Sequence, residues 1–181
     1  NGPEATLLGT APHTGKTLAD LARELDKPFE RVLIEDIGPD GASAAYFVMD
    51  EALQATLLEA PWVAVCSDGN PTGFHPRGHG AFAKVIERYV VAEQRLSLAD
   101  AVRRMTSLPA DVLGIRDRGR IAVGLAADLV VFDPQQVRAR ATYVEPFQLA
   151  EGFDLVIVNG RVARRDGALS GTLAGRVLQP Q

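Results

Sequence analysis

The spacing of hydrophobic and polar positions changes along the chain, and the change predicts two kinds of structure. In the longer first part, apolar residues recur at helical spacing between short apolar runs. Helix-capping patterns precede two of these helical stretches, at Thr17 and at Ser97. Further on, the apolar runs are short and β-like, and Asn159-Gly160 is a strong hairpin signal. We therefore predict an α/β part over residues 1–113 and a β part over residues 114–181.

Two strands are predicted in the α/β part. Residues 44–49 form a short apolar run, and Asp50 is placed to cap the helix that follows. Residues 62–66 are apolar without alternation, which predicts a strand buried on both faces with Cys66 as a small core residue. Alternating helices and strands favour parallel β/α units. Residues 1–16 are rich in glycine and proline and are interpreted as a loop.

Composition and charge narrow the class of partner. A hydrophobic content of 46% argues against disorder, and a net charge of −4 gives no basic surface for nucleic acid. No apolar run approaches the roughly 20 residues that span a bilayer, so we expect no membrane partner. The single cysteine cannot form an internal disulfide, which favours the reducing cytoplasm.

An aspartate follows directly after the predicted strand at residues 62–66. Asp68 stands within Ser67-Asp68-Gly69, and a carboxylate at the end of a buried strand is typical of a metal-hydrolase site. The local sequence alone also allows Asp68 to be a residue that caps a turn.

The order and spacing of several segments resemble the C-terminal portion of the N-acyl-D-amino-acid deacylases (D-aminoacylases) of the amidohydrolase superfamily. Each motif is common when taken singly, and the likeness comes from their sequence along nearly the whole chain. The segments that carry it are residues 15–22, 45–49, 63–69, 75–77, 105–110, 127–134 and 156–160.

The resemblance implies a fold, a reaction and two site residues. The fold would be the last β/α units of a (β/α)₈ barrel over residues 1–113, followed by the C-terminal part of a small β-sandwich domain. Zinc would activate water for hydrolysis of an N-acyl-D-amino acid. Asp68 would transfer the proton from water to the leaving amine, and it is also a candidate metal ligand. Arg77, in His75-Pro76-Arg77, would bind the substrate carboxylate through its planar guanidinium.

The remaining metal ligands of the family have no counterpart here. The chain has only His13, His75 and His79, and no His-x-His pair. We interpret all three as loop histidines, with His75 and His79 at the mouth of the active site as the alternative. We therefore expect the chain alone to be inactive and to need the missing N-terminal portion of the enzyme. The uncovered edges of a partial barrel also favour a homo-oligomer.

Two other functions fit parts of the pattern. A cyclic amidase of the dihydroorotase or hydantoinase kind would also carry an aspartate like Asp68, although the loop with Arg77 argues against it. The third hypothesis is a non-catalytic structural fragment or a subunit that completes a barrel. In that case Asp68 would be a turn residue and Arg77 a surface arginine.

Overall fold

The helices begin where the capping residues predict. Thr17 and Asp20 form a reciprocal capping box, and the side chains of Asp50 and Ser97 each accept a backbone N–H at a helix start. The computed structural model describes residues 2–70 and 72–179. Its α-helices are α1 (Leu18–Glu24), α2 (Phe29–Arg31), α3 (Glu51–Glu59), α4 (Arg77–Lys84), α5 (Leu98–Met105) and α6 (Ser107–Val112). Two of them continue as π-helices, α2 into Val32–Ile37 and α4 into Val85–Ala92.

The strands form two antiparallel sheets. The strands are β1 (Thr6–Leu8), β2 (Ala44–Tyr46), β3 (Leu129–Phe132), β4 (Phe153–Val158), β5 (Arg161–Arg165) and β6 (Ala168–Leu169). The first sheet pairs β1 with β2, and the second has the order β3-β4-β5-β6. Asn159 and Gly160 both have positive φ, at 48° and 76°, which confirms the predicted hairpin between β4 and β5.

The predicted strand over residues 62–66 is wrong. These residues join no ladder, Trp62 is 75% exposed, and Cys66 is exposed rather than part of the core. A strand needs a neighbour for its backbone hydrogen bonds, and β2 pairs instead with β1, within the stretch that the sequence predicts as loop. Every strand pairing in residues 2–70 and 72–179 is antiparallel, so the predicted parallel pairing does not occur there.

Three apolar clusters hold these elements together. One packs α1 against β1, and another packs the π-helix that follows α4 against α5. The remaining cluster joins the helices to the second sheet, because Ala83 and Ile86 pack with Val137, Phe132 and Phe153. The division of the chain at residue 114 stays a prediction. None of the helices formed by the described residues is long and apolar enough to cross a membrane.

Candidate functional site

Asp68 lies at a turn that directs its carboxylate outwards. Its φ is 45°, a left-handed conformation that aspartate tolerates better than most residues, and its side chain is 74% exposed. The hydroxyl of Ser67 accepts the N–H of Gly69 at 3.2 Å and so caps the turn. The Asp68 carboxylate is therefore available for another partner.

That partner is Arg77, at the start of α4. Arg77 Nη2 lies 3.0 Å from Asp68 Oδ2, so the two residues singled out by the resemblance lie side by side. Both side chains are largely exposed, and an ion pair of this kind contributes little to stability. The contact therefore shows that the two side chains are close, and it is not needed to hold the fold.

A close approach of two glycines brings the aspartate and the arginine together. Gly69 follows Asp68, Gly78 follows Arg77, and a Cβ added to Gly69 would lie 2.7 Å from the Gly78 Cα. Only a residue without a side chain allows two backbones to come this close.

We expect Gly69→Ala to lower the free energy of unfolding by about 1–3 kcal/mol, because the added methyl must force the two backbones apart. Urea denaturation of the chain measures this change. Gly80→Ala is the matched control, since its added Cβ meets the nearest atom at an ordinary 3.5 Å. Equal stability of the two variants would contradict the role of the glycine contact.

The histidines on either side of Arg77 are half-buried against aromatic rings. His75 Nδ1 accepts the backbone N–H of Arg77 at 3.1 Å, and its ring lies 5.1 Å from that of Tyr143. Burial, with a further contribution from the nearby Arg77 charge, lowers the pKa of His75 below its usual value. The ring of His79 lies 5.7 Å from that of Phe147. The sequence signals neither contact, because Tyr143 and Phe147 lie more than 60 positions further along the chain.

Asp68 does not stand within a complete metal site. No group of three or more His, Cys, Asp or Glu side chains in the described part of the chain is arranged to hold a metal ion. A zinc site needs about four ligands, of which Asp68 could supply one. The described residues by themselves therefore do not fit a bound zinc ion.

Two grooves lie elsewhere on the surface. The larger, of about 680 Å³, is apolar and lies between α4–α6 and the second sheet, but neither Asp68 nor Arg77 lines it. The smaller, of about 420 Å³, is lined by Phe74 and Phe147, beside the loop that carries His75. We assign the candidate site to Asp68 and Arg77 because the sequence singles out both residues and the structure places them in contact.

Residues 9–164 match the Amidohydrolase family. N-acyl-D-glutamate deacylase of Alcaligenes xylosoxydans xylosoxydans is 41% identical over 146 residues, which cover 72% of this chain and 30% of the relative. A dihydroorotase of Methanothermobacter thermautotrophicus is similar over a shorter stretch, at 34% identity over 88 residues.

Two solved structures of deacylases are also similar to this chain. A D-aminoacylase structure superimposes with a TM-score of 0.86 at 36% identity, covering 96% of this chain and 37% of that one. N-acyl-D-glutamate deacylase from Bordetella bronchiseptica, complexed with zinc and a phosphonate inhibitor, gives a TM-score of 0.81 at 34% identity, covering 98% and 37%. The chain thus spans about a third of the length of the deacylases and of the D-aminoacylase that it matches.

Proposed function

The chain belongs to the amidohydrolase family, and from this premise we propose that it supplies two residues to the active site of an N-acyl-D-amino-acid deacylase. The observation that carries the proposal is the 3.0 Å contact between Asp68 and Arg77. It puts a carboxylate that can transfer a proton beside a guanidinium that can bind a carboxylate. The substrate class follows from the names of the similar deacylases.

In the proposed reaction, Asp68 moves one proton. Its carboxylate accepts a proton from the attacking water, whose oxygen bonds to the amide carbon. Asp68 then gives this proton to the amide nitrogen, and the C–N bond breaks. The products are a carboxylic acid and a free D-amino acid.

Arg77 is proposed to hold the substrate by its α-carboxylate. A guanidinium forms two parallel hydrogen bonds with a carboxylate, which fixes orientation as well as position. When substrate binds, Arg77 would exchange its contact with Asp68 for one with the substrate, and the Asp68 carboxylate would be released for proton transfer.

The proposal includes a wider architecture. Residues 1–113 would correspond to the last units of a barrel and residues 114–181 to the C-terminal part of a β-sandwich. The antiparallel second sheet, formed wholly after residue 114, supports the second half of this division. Zinc would need ligands beyond the described residues, with Asp68 as the one candidate here. A cytoplasmic location remains a prediction from the lone cysteine.

A chimera tests the function directly. In this protein, called the Alcaligenes chimera below, the chain replaces the segment that it matches in the N-acyl-D-glutamate deacylase. We expect it to hydrolyse N-acyl-D-amino acids, and we expect the isolated chain to be inactive. Dihydroorotate serves as the competing substrate. A chimera that folds and binds zinc but hydrolyses only dihydroorotate, or neither substrate, would contradict the proposed deacylase.

We expect Arg77→Lys to raise the KM of the Alcaligenes chimera about 10- to 100-fold, with a smaller effect on kcat. Lysine keeps the charge but loses the paired hydrogen bonds, each of which contributes about 1.5–3 kcal/mol when charged. Steady-state kinetics measures both constants. Arg23→Lys, at another exposed arginine paired with an aspartate, is the control. A fall in kcat at constant KM would instead make Arg77 a partner of Asp68 alone.

A further inference from the structure

A buried arginine in α5 forms hydrogen bonds with the backbone of residues 58–63, which precede Asp68 in the chain. The Arg104 side chain is only 2% exposed, and its Nε donates to the Asp100 carboxylate at 2.7 Å. The rest of the guanidinium donates to backbone carbonyls at the C-terminal end of α3 and in the turn that follows it, ahead of Asp68. These carbonyls belong to Leu58 (2.7 Å), Glu59 (3.0 Å), Ala60 and Val63 (3.3 Å).

This arrangement satisfies groups that the end of a helix leaves open. The last carbonyls of a helix have no partner within it, and its C-terminus favours a positive charge. Arg104 supplies both donors and charge at the end of α3. Asp100 balances the buried charge, and the hydrogen bond from Arg104 holds the pKa of Asp100 below its usual value, against the opposing effect of burial.

The backbone of Arg104 holds the same segment further on. Its carbonyl accepts the N–H of Val65 at 3.0 Å, and the Val65 side chain packs against a cluster that includes Ala101 of α5. Asp68 lies three residues after Val65. Arg104 therefore contacts the segment before Asp68 in two places: its side chain binds residues 58–63, and its main chain binds Val65.

We propose that Arg104 is a positioning residue for Asp68. Its hydrogen bonds to the backbone of residues 58–63 fix this turn, and the turn in turn fixes the position of Asp68. The inference rests on the proposed function, in which Asp68 transfers the proton. A guanidinium suits the task because its donors diverge in a fixed plane, whereas an ammonium concentrates its donors on one atom. The neighbouring Arg103 reaches only one carbonyl of this turn, that of Pro61.

The single tryptophan of the chain reports on this turn directly. Trp62 lies within residues 58–63, so its time-resolved fluorescence anisotropy in the 181-residue chain measures the mobility of this turn. Arg104→Ala removes a buried side chain together with its hydrogen bonds to Asp100 and to four carbonyls, which risks unfolding, so Arg104→Lys carries the decisive measurement. Arg95→Ala is the control, because Arg95 binds the side chains of Glu59 and Glu93 and no turn carbonyl.

We expect Arg104→Lys to lose part of the slow-decaying anisotropy of Trp62 while far-UV circular dichroism stays unchanged. In the Alcaligenes chimera it should lower kcat about 10- to 100-fold at nearly constant KM, as a misplaced catalytic group does. The control should change neither. Unaltered Trp62 anisotropy, or unaltered kcat despite a looser turn, would overturn the inference. Absence of turnover in the unmutated chimera would refute the proposed function, and with it the role assigned to Arg104, even where the anisotropy shows that Arg104 fixes the turn.

Discussion

Replacing Asp68 with asparagine is expected to lower the kcat of the Alcaligenes chimera by about 10²–10⁴-fold, which is the usual contribution of a positioned acid or base. The amide keeps the size and shape of the carboxylate but cannot accept the proton from water. The backbone should not resist the change, because asparagine also tolerates the left-handed conformation of residue 68. Steady-state hydrolysis of an N-acyl-D-amino acid measures the loss.

Asp166→Asn is the matched control for this change. Asp166 is an exposed aspartate with a φ of 48°, close to the 45° of Asp68, but it lies in the turn between β5 and β6. The two substitutions therefore impose the same chemical change on nearly the same backbone. If both variants keep full kcat, Asp68 is a turn residue and the deacylase mechanism proposed for it is wrong.

Local signals in the sequence predict the starts of helices and the tight turns. The capping box at Thr17 and the hairpin at Asn159-Gly160 each depend on residues close together in the chain. The interactions that stabilise the capping box and the hairpin join residues only a few positions apart, so the sequence pattern is sufficient to predict both.

Strand pairing was less predictable because it depends on distant partners. The apolar run at residues 62–66 has the composition of a buried strand, but no strand in the described part of the chain pairs with it. Conversely, β1 lies in a stretch rich in glycine and proline and forms because β2 supplies its hydrogen bonds. An apolar run predicts burial and extension, but it does not specify the neighbour.

The candidate site was predicted in part. The resemblance singled out Asp68 and Arg77, and the structure brings them within 3.0 Å of each other. The contacts of His75 with Tyr143 and of His79 with Phe147 join segments far apart in the chain, so no local pattern could predict them. The hydrogen bonds from Arg104 to four carbonyls were also unpredictable, because every residue has a backbone carbonyl and the sequence does not indicate which ones accept.

The segment that supplies Tyr143 and Phe147 depends on a close backbone contact at Gly152. The buried Val137 begins this segment, and Arg138 and Glu151 exchange backbone hydrogen bonds at 3.2 and 3.0 Å. A Cβ added to Gly152 would lie 2.4 Å from the carbonyl carbon and oxygen of Gln136. The aromatic packing around His75 and His79 thus rests on a crossing that only glycine allows.

We expect Gly152→Ala to lower the free energy of unfolding by about 2–5 kcal/mol, the sum of left-handed strain and of forced separation of two backbones. Urea denaturation of the chain measures the change. Gly160→Ala measures the contribution of left-handed strain alone, because Gly160 has a similar φ (76° against 82°) and no atom within 4 Å of the added Cβ. The control should cost only about 1–2 kcal/mol. If both variants lose the same free energy of unfolding, backbone strain explains the whole effect. The backbones at Gly152 and Gln136 would then move apart to admit the methyl group without cost. A larger loss at Gly152 would establish that this crossing is rigid, and would explain how the segment with Tyr143 and Phe147 is held against His75 and His79.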